Sequence, residues 1–317
     1  MDVAKPAAVA QGGPRLNPRR LTPICLSLTL AVTAACSAAP GGPNIQTAGN
    51  ENGIANCAVL DDIVTGGYIG IDQAQPKTAM DEDFHTPPSD QWCNTSVGYS
   101  SLDFGDEGVR LTVPRSKEAQ FPYNNAEMLV RPIFGAGMTM TYKIKGTDLD
   151  SHNGTFGFGI SNRTLNIGEL EIAWFMYNNS TSFLSDVTVG LGPVFNALGM
   201  DPPQGFFVMV KRAGWPVPQV QLIDENLLKG DHSYAVKLDT GKVRFYVDGE
   251  LVADLGNPPA GQGKDDFGRS LPLIGQIWLD SGYWLPYPIP QWNGTTASAV
   301  LERYVQGPSQ QTPLTLP

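Results

Sequence analysis

Apolar and polar residues alternate with a period of two along most of this 317-residue chain. Successive side chains of a β-strand point to opposite faces, so the alternation predicts strands with one buried face. The candidate strands are Val109–Val113, Ala126–Phe134, Met138–Lys145, Thr155–Ser161, Glu169–Tyr177, Asp186–Leu191, Phe206–Lys211, Val220–Ile223, His232–Leu238, Lys242–Val247, Glu250–Leu255, Leu271–Leu279 and Ala297–Val305. Helix is indicated only as one turn at Val194–Leu198. So many short strands predict an all-β sandwich or barrel, and the period does not choose between them.

One connection is predicted in more detail. Asp248-Gly249 separates the strand ending at Val247 from the strand beginning at Glu250. An Asp-Gly pair supplies the positive φ angles that a two-residue hairpin turn requires.

The charge balance excludes some partners. Charged residues make up only 16% of the chain, and its formal net charge is -10. An acidic protein without a basic stripe does not suit nucleic acid or an anionic membrane surface. We therefore expect neither partner, and we expect a monomer.

The N-terminus has the form of an export signal. Arg19-Arg20 precede the apolar run 21–35, and small residues follow it. This arrangement is typical of a secretory signal, and the run is too short to span a bilayer. The segment Ala34-Ala35-Cys36 resembles a bacterial lipobox, in which the cysteine is lipidated. Two locations stay open: secreted, or held at the surface of a bacterial membrane by lipidated Cys36.

The remaining cysteines, Cys57 and Cys93, are expected to form a disulfide in an oxidising compartment, with free thiols as the alternative. We expect no metal centre, because the three histidines fit no ligand pattern, and we expect no cofactor. Structural calcium is left open at Asp81-Glu82-Asp83 or Asp265-Asp266, which lack the spacing of a dedicated calcium loop.

The chain divides into four predicted parts. Residues 1–36 are a signal peptide with the lipobox, and 37–55 are a flexible linker rich in small residues. A folded domain covers 56–307, and a polar tail follows at 308–317.

The most informative stretch is Gly168–Tyr177, GELEIAWFMY. Residues two apart on a strand share a face, so Glu169 and Glu171 are expected side by side on an open face, roughly 7 Å apart at Cα. Leu170 and Ile172 are expected on the opposite face, in the core. Strict alternation buries Trp174 with them, whereas a β-bulge turns it into the cleft.

The order of segments resembles a known family. The strand with Ala126-Glu127-Met128-Leu129-Val130, the segment Asn153–Gly159, the stretch Gly168–Trp174 and the FYVDGELV hairpin resemble the concanavalin A-like jelly rolls, and most closely glycoside hydrolase family 16, the laminarinase and lichenase group. The resemblance covers most of residues 100–306. It implies a jelly-roll β-sandwich of two antiparallel sheets and a polysaccharide partner.

The family's catalytic strand reads Glu-x-Asp-x-x-Glu, or Glu-x-Asp-x-Glu without the bulge. The resemblance makes Glu169 the nucleophile, and Glu171 replaces the aspartate. The general acid/base falls on Trp174 or on Ala173, and neither can protonate a leaving oxygen. Retaining hydrolysis needs two carboxyl groups ~5–5.5 Å apart, so the catalytic motif is degenerate.

Loop aromatic residues point to the same ligand class. Residues 278–292 read WLDSGYWLPYPIPQW, and aromatic faces of this kind stack on pyranose rings. The expected carbohydrate-binding residues are Trp174, Trp215, Tyr283, Trp284 and Trp292. The alternative is that these aromatic residues form a satellite core at the end of the sandwich.

Three hypotheses follow. The first is an extracellular polysaccharide-binding jelly roll with a degenerate glucanase-type site. The second is a divergent retaining hydrolase or transglycosylase that acts on β-linked polysaccharide with Glu169 as nucleophile. The third is a structural or adhesive surface protein without a sugar site. The missing general acid favours the first.

Overall fold

The structure is a computed structural model. It describes residues 53–57, 77–96, 98–114, 124–149, 152, 154–164, 166, 168–179, 203–265, 268–280 and 296–317. The predicted strand at Asp186–Leu191 and the predicted turn at Val194–Leu198 lie outside these residues.

Fifteen strands are present in the described residues. They are β1 Met80–Glu82, β2 Trp92–Asn94, β3 Ser101–Gly105, β4 Gly108–Val113, β5 Asn125–Phe134, β6 Met138–Asp148, β7 Thr155–Ser161, β8 Ile172–Asn178, β9 Gly205–Lys211, β10 Gln219–Leu222, β11 Asp231–Leu238, β12 Lys242–Val247, β13 Glu250–Gly256, β14 Leu273–Asp280 and β15 Ala297–Pro308. A short 3₁₀ helix, Glu225–Leu228, separates β10 from β11. Among the described residues, no helix has the length and apolar character needed to cross a membrane.

The strands form two antiparallel sheets. An eight-stranded sheet has the order β13-β12-β11-β6-β15-β4-β3, with β1 paired to β15, and a seven-stranded sheet has the order β10-β9-β8-β7-β14-β5-β2. The main core draws its residues from both sheets, so it lies between them. Its centre is aromatic: Tyr142 and Tyr304 contact edge to face, and Phe158 stacks with Phe175. The predicted all-β jelly-roll sandwich of two antiparallel sheets is confirmed.

The predicted hairpin is also present. Asp248 and Gly249 have φ angles of 50° and 83°, and they join β12 to β13. Most predicted strands agree with observed ones to within a few residues. The sequence reasoning missed β1, β2 and β3. Two of these, β1 and β2, have only three residues each, too few for a pattern of alternation.

The C-terminal segment 309–317 packs on the outer face of the eight-stranded sheet. Thr141 Oγ1 donates to the Pro313 carbonyl at 2.5 Å, and the Leu316 N–H donates to Ser233 Oγ at 2.9 Å. The Leu316 side chain is buried. This segment, which the sequence predicted only as a polar tail, is therefore an ordered strap over the sheet.

Two glutamines connect the sheets at one side of the sandwich. Gln219 and Gln221 lie on β10, the edge strand of the seven-stranded sheet. Their side-chain amides donate to the carbonyls of Gly256 and Val252 on β13, at 3.0 and 2.8 Å. Because β13 is the edge strand of the other sheet, these hydrogen bonds close that side.

Candidate functional site

Glu171 lies just before β8 and is fully buried. Its Oε1 accepts from the Ala260 N–H at 2.8 Å. Its Oε2 accepts from the N–H groups of Gln262 and Gly263, at 2.8 and 3.0 Å. All three donors belong to the loop between β13 and β14. The carboxylate therefore holds in place the loop that crosses from one sheet to the other.

Glu169 is half-buried and contacts the same loop. Its Oε2 accepts from the Lys264 N–H at 2.9 Å, whereas its Oε1 has no hydrogen-bond partner among the described residues. Gly263 fits here because it has no side chain: a Cβ at this position would lie 2.2 Å from the Glu169 carbonyl oxygen. Of the two glutamates, only Glu169 has an oxygen available to a ligand.

The predicted arrangement of this stretch is wrong in two respects. The strand begins at Ile172, so neither glutamate lies within it. Leu170, Ile172 and Trp174 do share a face, but it is the outer face of the seven-stranded sheet, where they form a second apolar cluster. Alternation then directs Ala173 toward the main core between the sheets, where it is fully buried. This described stretch therefore does not form the predicted open strand face with both glutamates on it. The catalytic roles predicted for Glu169 and Glu171 stay predictions.

Two tryptophans form the centre of the outer-face cluster. Trp174 and Trp278 contact edge to face, with centroids 5.0 Å apart. The Trp278 ring lies over the backbone of Gly157, where an added Cβ would come within 2.4 Å of the ring. Trp278 Nε1 donates to Thr155 Oγ1 at 2.9 Å, whereas Trp174 Nε1 is buried without a partner among the described residues. Trp174 is 5% exposed, so it is buried beside Leu170 and Ile172, as strict alternation predicted.

A buried ion pair lies next to this cluster, and the sequence reasoning missed it. Glu127 on β5 is paired in register with Trp278, and its carboxylate contacts the guanidinium of Arg163. Thr95 Oγ1 donates to Glu127 Oε2 at 2.8 Å, and Arg163 Nη1 donates to Gln276 Oε1 at 3.0 Å. The sequence signal was Glu127, an acidic residue within the otherwise apolar run Ala126–Val130 of β5. Both side chains are largely buried and mutually neutralised, so the pair fixes the loop after β7 against β5 and, through Gln276, against β14.

A buried cation compensates the glutamates. Lys211, at the end of β9, is 1% exposed, and its Nζ donates to the Leu170 carbonyl at 3.0 Å. Burial lowers the pKa of the Lys211 ammonium, and the negative charges of Glu171 and Glu169 act in the opposite direction. The cation therefore stabilises the turn that carries both glutamates.

Trp215 is the exposed tryptophan of the described residues, with 49% of its surface accessible. It lies in the turn between β9 and β10. The Trp215 N–H donates to the Arg212 carbonyl at 3.2 Å, and the Gly214 N–H donates to the Gly168 carbonyl at 2.8 Å. The backbone that carries the indole is thus fixed next to Glu169.

Arg212 connects this turn to the loop held by Glu171. Its Nη2 donates to Gln262 Oε1 at 3.3 Å, and it has no carboxylate partner among the described residues. Gly168–Glu169, Arg212–Trp215 and Gln262 therefore meet at one place, which we call the Trp215 corner. It combines an accessible indole, a carboxylate oxygen and a guanidinium. Such a set can stack on an apolar face and exchange hydrogen bonds with hydroxyl or anionic groups.

The other predicted site residues have different outcomes. Cys57 and Cys93 form the predicted disulfide, with Cα atoms 5.0 Å apart. Tyr283, Trp284, Trp292 and Cys36 lie outside the described residues. Within the described ranges, no group of three or more His, Cys, Asp or Glu side chains is arranged to hold a metal ion. Asp81, in one stretch left open for calcium, pairs with Arg303 at 2.7 and 2.8 Å.

The fold is a jelly-roll β-sandwich, and several solved structures resemble it at low sequence identity. No family model and no curated protein matches the sequence. A β-glucanase of Bacillus licheniformis is 13% identical with a TM-score of 0.48, over 73% of this chain and 99% of its own. A laminarinase from Flavobacterium sp. UMI-01 is 13% identical with a TM-score of 0.47, over 73% and 99%. A pseudo β-1,3-glucanase of Mycobacterium tuberculosis is 13% identical with a TM-score of 0.47, over 73% and 98%. Similarities this distant carry neither a substrate nor a residue role to this chain.

Proposed function

We propose that this chain is an exported polysaccharide-binding protein that binds glycan without hydrolysing it. The observation that carries the proposal is the accessible indole of Trp215, on a turn whose backbone is hydrogen-bonded to Gly168, the residue before Glu169. An exposed indole on a rigid turn is a stacking surface for a pyranose ring. The available Oε1 of Glu169 would accept hydrogen bonds from sugar hydroxyls.

The residues at the two positions where the resemblance places the general acid, Ala173 and Trp174, favour binding over hydrolysis. Ala173 lies in the main core, and Trp174 is buried in the outer-face cluster. Neither side chain can donate a proton to a glycosidic oxygen, and general acid assistance contributes ~10²–10⁴ in rate. The disulfide between Cys57 and Cys93 supports export, because such bonds persist in oxidising compartments.

The experiment is retention of the purified protein on insoluble β-1,3-, β-1,4- and mixed-linkage glucans, galactan and xyloglucan, with release of reducing sugar measured in parallel. We expect retention without turnover. Trp215→Ala should abolish retention, whereas Tyr99→Ala, which removes an aromatic ring 55% exposed elsewhere, should not.

Two results would contradict the proposal. Turnover that Glu169→Gln abolishes would establish an enzyme in which Glu169 is catalytic. Absence of both turnover and retention would favour a structural or adhesive protein.

A further inference from the structure

Arg212 differs from most other arginines of the described residues. Five of the seven described arginines pair with a carboxylate: Arg110, Arg163, Arg244, Arg269 and Arg303. Arg212 is half-buried, and its guanidinium makes one hydrogen bond, to the neutral amide of Gln262 at 3.3 Å. Arg131 on β5 is the other described arginine that pairs with no carboxylate, and only Arg212 of the two lies beside Trp215.

Arg212 belongs to the same turn as Trp215. It lies three residues before Trp215, and the Trp215 N–H donates to its carbonyl. A guanidinium presents a planar fork of N–H donors that fits a carboxylate in bidentate fashion. The guanidinium contacts Gln262, two residues before Lys264, whose N–H donates to Glu169 Oε2, so the fork and the Glu169 carboxylate lie along one loop.

We propose that the Trp215 corner takes an acidic sugar, a uronic acid residue whose carboxylate pairs with Arg212 while its ring packs on Trp215. This inference rests on the proposed function and names the chemical class of the glycan. The Glu169 carboxylate would accept hydrogen bonds from the sugar hydroxyls. Because it repels a second anion at close range, the carboxylate of the sugar would lie on the side of Arg212. Gln262 would be displaced or shared, at the cost of one long hydrogen bond from the guanidinium to a neutral amide.

The test compares acidic glycans with neutral counterparts of the same backbone. The probes are polygalacturonate, alginate and glucuronoxylan, each beside its carboxyl-reduced form, and affinity is measured by electrophoresis in gels that contain the glycan. We expect tighter binding of at least one acidic form. Arg212→Gln should weaken that binding by about 10- to 100-fold, the range for a charge-assisted hydrogen bond, and should leave the reduced form unaffected.

Two further variants make the result specific. Arg212→Lys keeps the charge and loses the fork, so it should restore only part of the affinity. Arg269→Gln is the matched control, because it removes an exposed arginine that already pairs with Asp265. It should bind like the wild type.

The outcomes separate this inference from the proposed function. Equal binding of acidic and reduced forms, or equal effects of Arg212→Gln and Arg269→Gln, would overturn the acidic-sugar inference alone. Retention only on the neutral glycans would do the same and leave polysaccharide binding intact. Failure of the wild type to bind any acidic or neutral glycan would overturn both.

Discussion

Replacing Glu171 by glutamine tests whether this residue is structural. The carboxylate accepts three backbone N–H groups while fully buried. Glutamine keeps one acceptor oxygen, which can serve Gln262 and Gly263, but turns an NH₂ group toward the Ala260 N–H. A buried unsatisfied donor costs about 1–3 kcal/mol, and hydrogen bonds to a charged group lose roughly half their strength when it becomes neutral. We expect the free energy of unfolding to fall by about 3 kcal/mol, a large share of the ~5–15 kcal/mol typical of a domain.

The assay is urea denaturation followed by circular dichroism and by tryptophan fluorescence. Glu169→Gln is the matched control, because Glu169 accepts one hydrogen bond and is partly solvated. It should cost less than about 1 kcal/mol. If both variants unfold at the same urea concentration as the wild type, the assignment of Glu171 as the anchor of the crossing loop is refuted.

Three further predictions concern stability. Burial lowers the pKa of His152 to about 4 from its ordinary 6.5. As the pH falls, the unfolded chain therefore takes up a proton at this histidine before the folded chain does. Stability should therefore fall by about 3 kcal/mol between pH 6.5 and pH 4, and His152→Asn should flatten this acid limb of the unfolding curve whereas His85→Asn should not. Cys57→Ser should lower the free energy of unfolding by about 4 kcal/mol, because the disulfide closes a loop of 36 residues. A wild-type protein whose free energy of unfolding is the same with and without a reductant would contradict this. Deletion of residues 309–317 exposes the Ser233 face and removes buried Leu316, so thermal unfolding should show a loss of about 3 kcal/mol, and an unchanged melting temperature would show that the strap contributes nothing.

The fold was predictable from the sequence where one face of a strand is polar. β12 alternates buried and half-buried residues, and its bounds, Lys242–Val247, agree with the prediction. The Asp248-Gly249 turn was predictable because few residue pairs tolerate its φ angles. The disulfide followed from the number of cysteines left after the predicted export signal.

The placement of the glutamates was not predictable in this way. β8 is apolar on both faces, with Ile172 and Trp174 outside and Ala173 and Phe175 inside. A period of two cannot decide which apolar set faces the main core when both sets are buried. The partners of Glu171 lie about 90 residues later, in a loop without a sequence signal. The same holds for the pairing of Glu127 with Arg163, which depends on how distant strands meet.

The glutamines of β10 have a consequence for how this protein meets other chains. An edge strand normally offers free carbonyl groups to any extended peptide, and this is a route to aggregation. Here the side chains of Gln219 and Gln221 already occupy the carbonyls of Gly256 and Val252. An invading strand would first have to break these amide contacts. Two neutral side chains thus occupy carbonyls at this edge that an extended peptide would otherwise pair with, and neither contact involves a lysine or a proline.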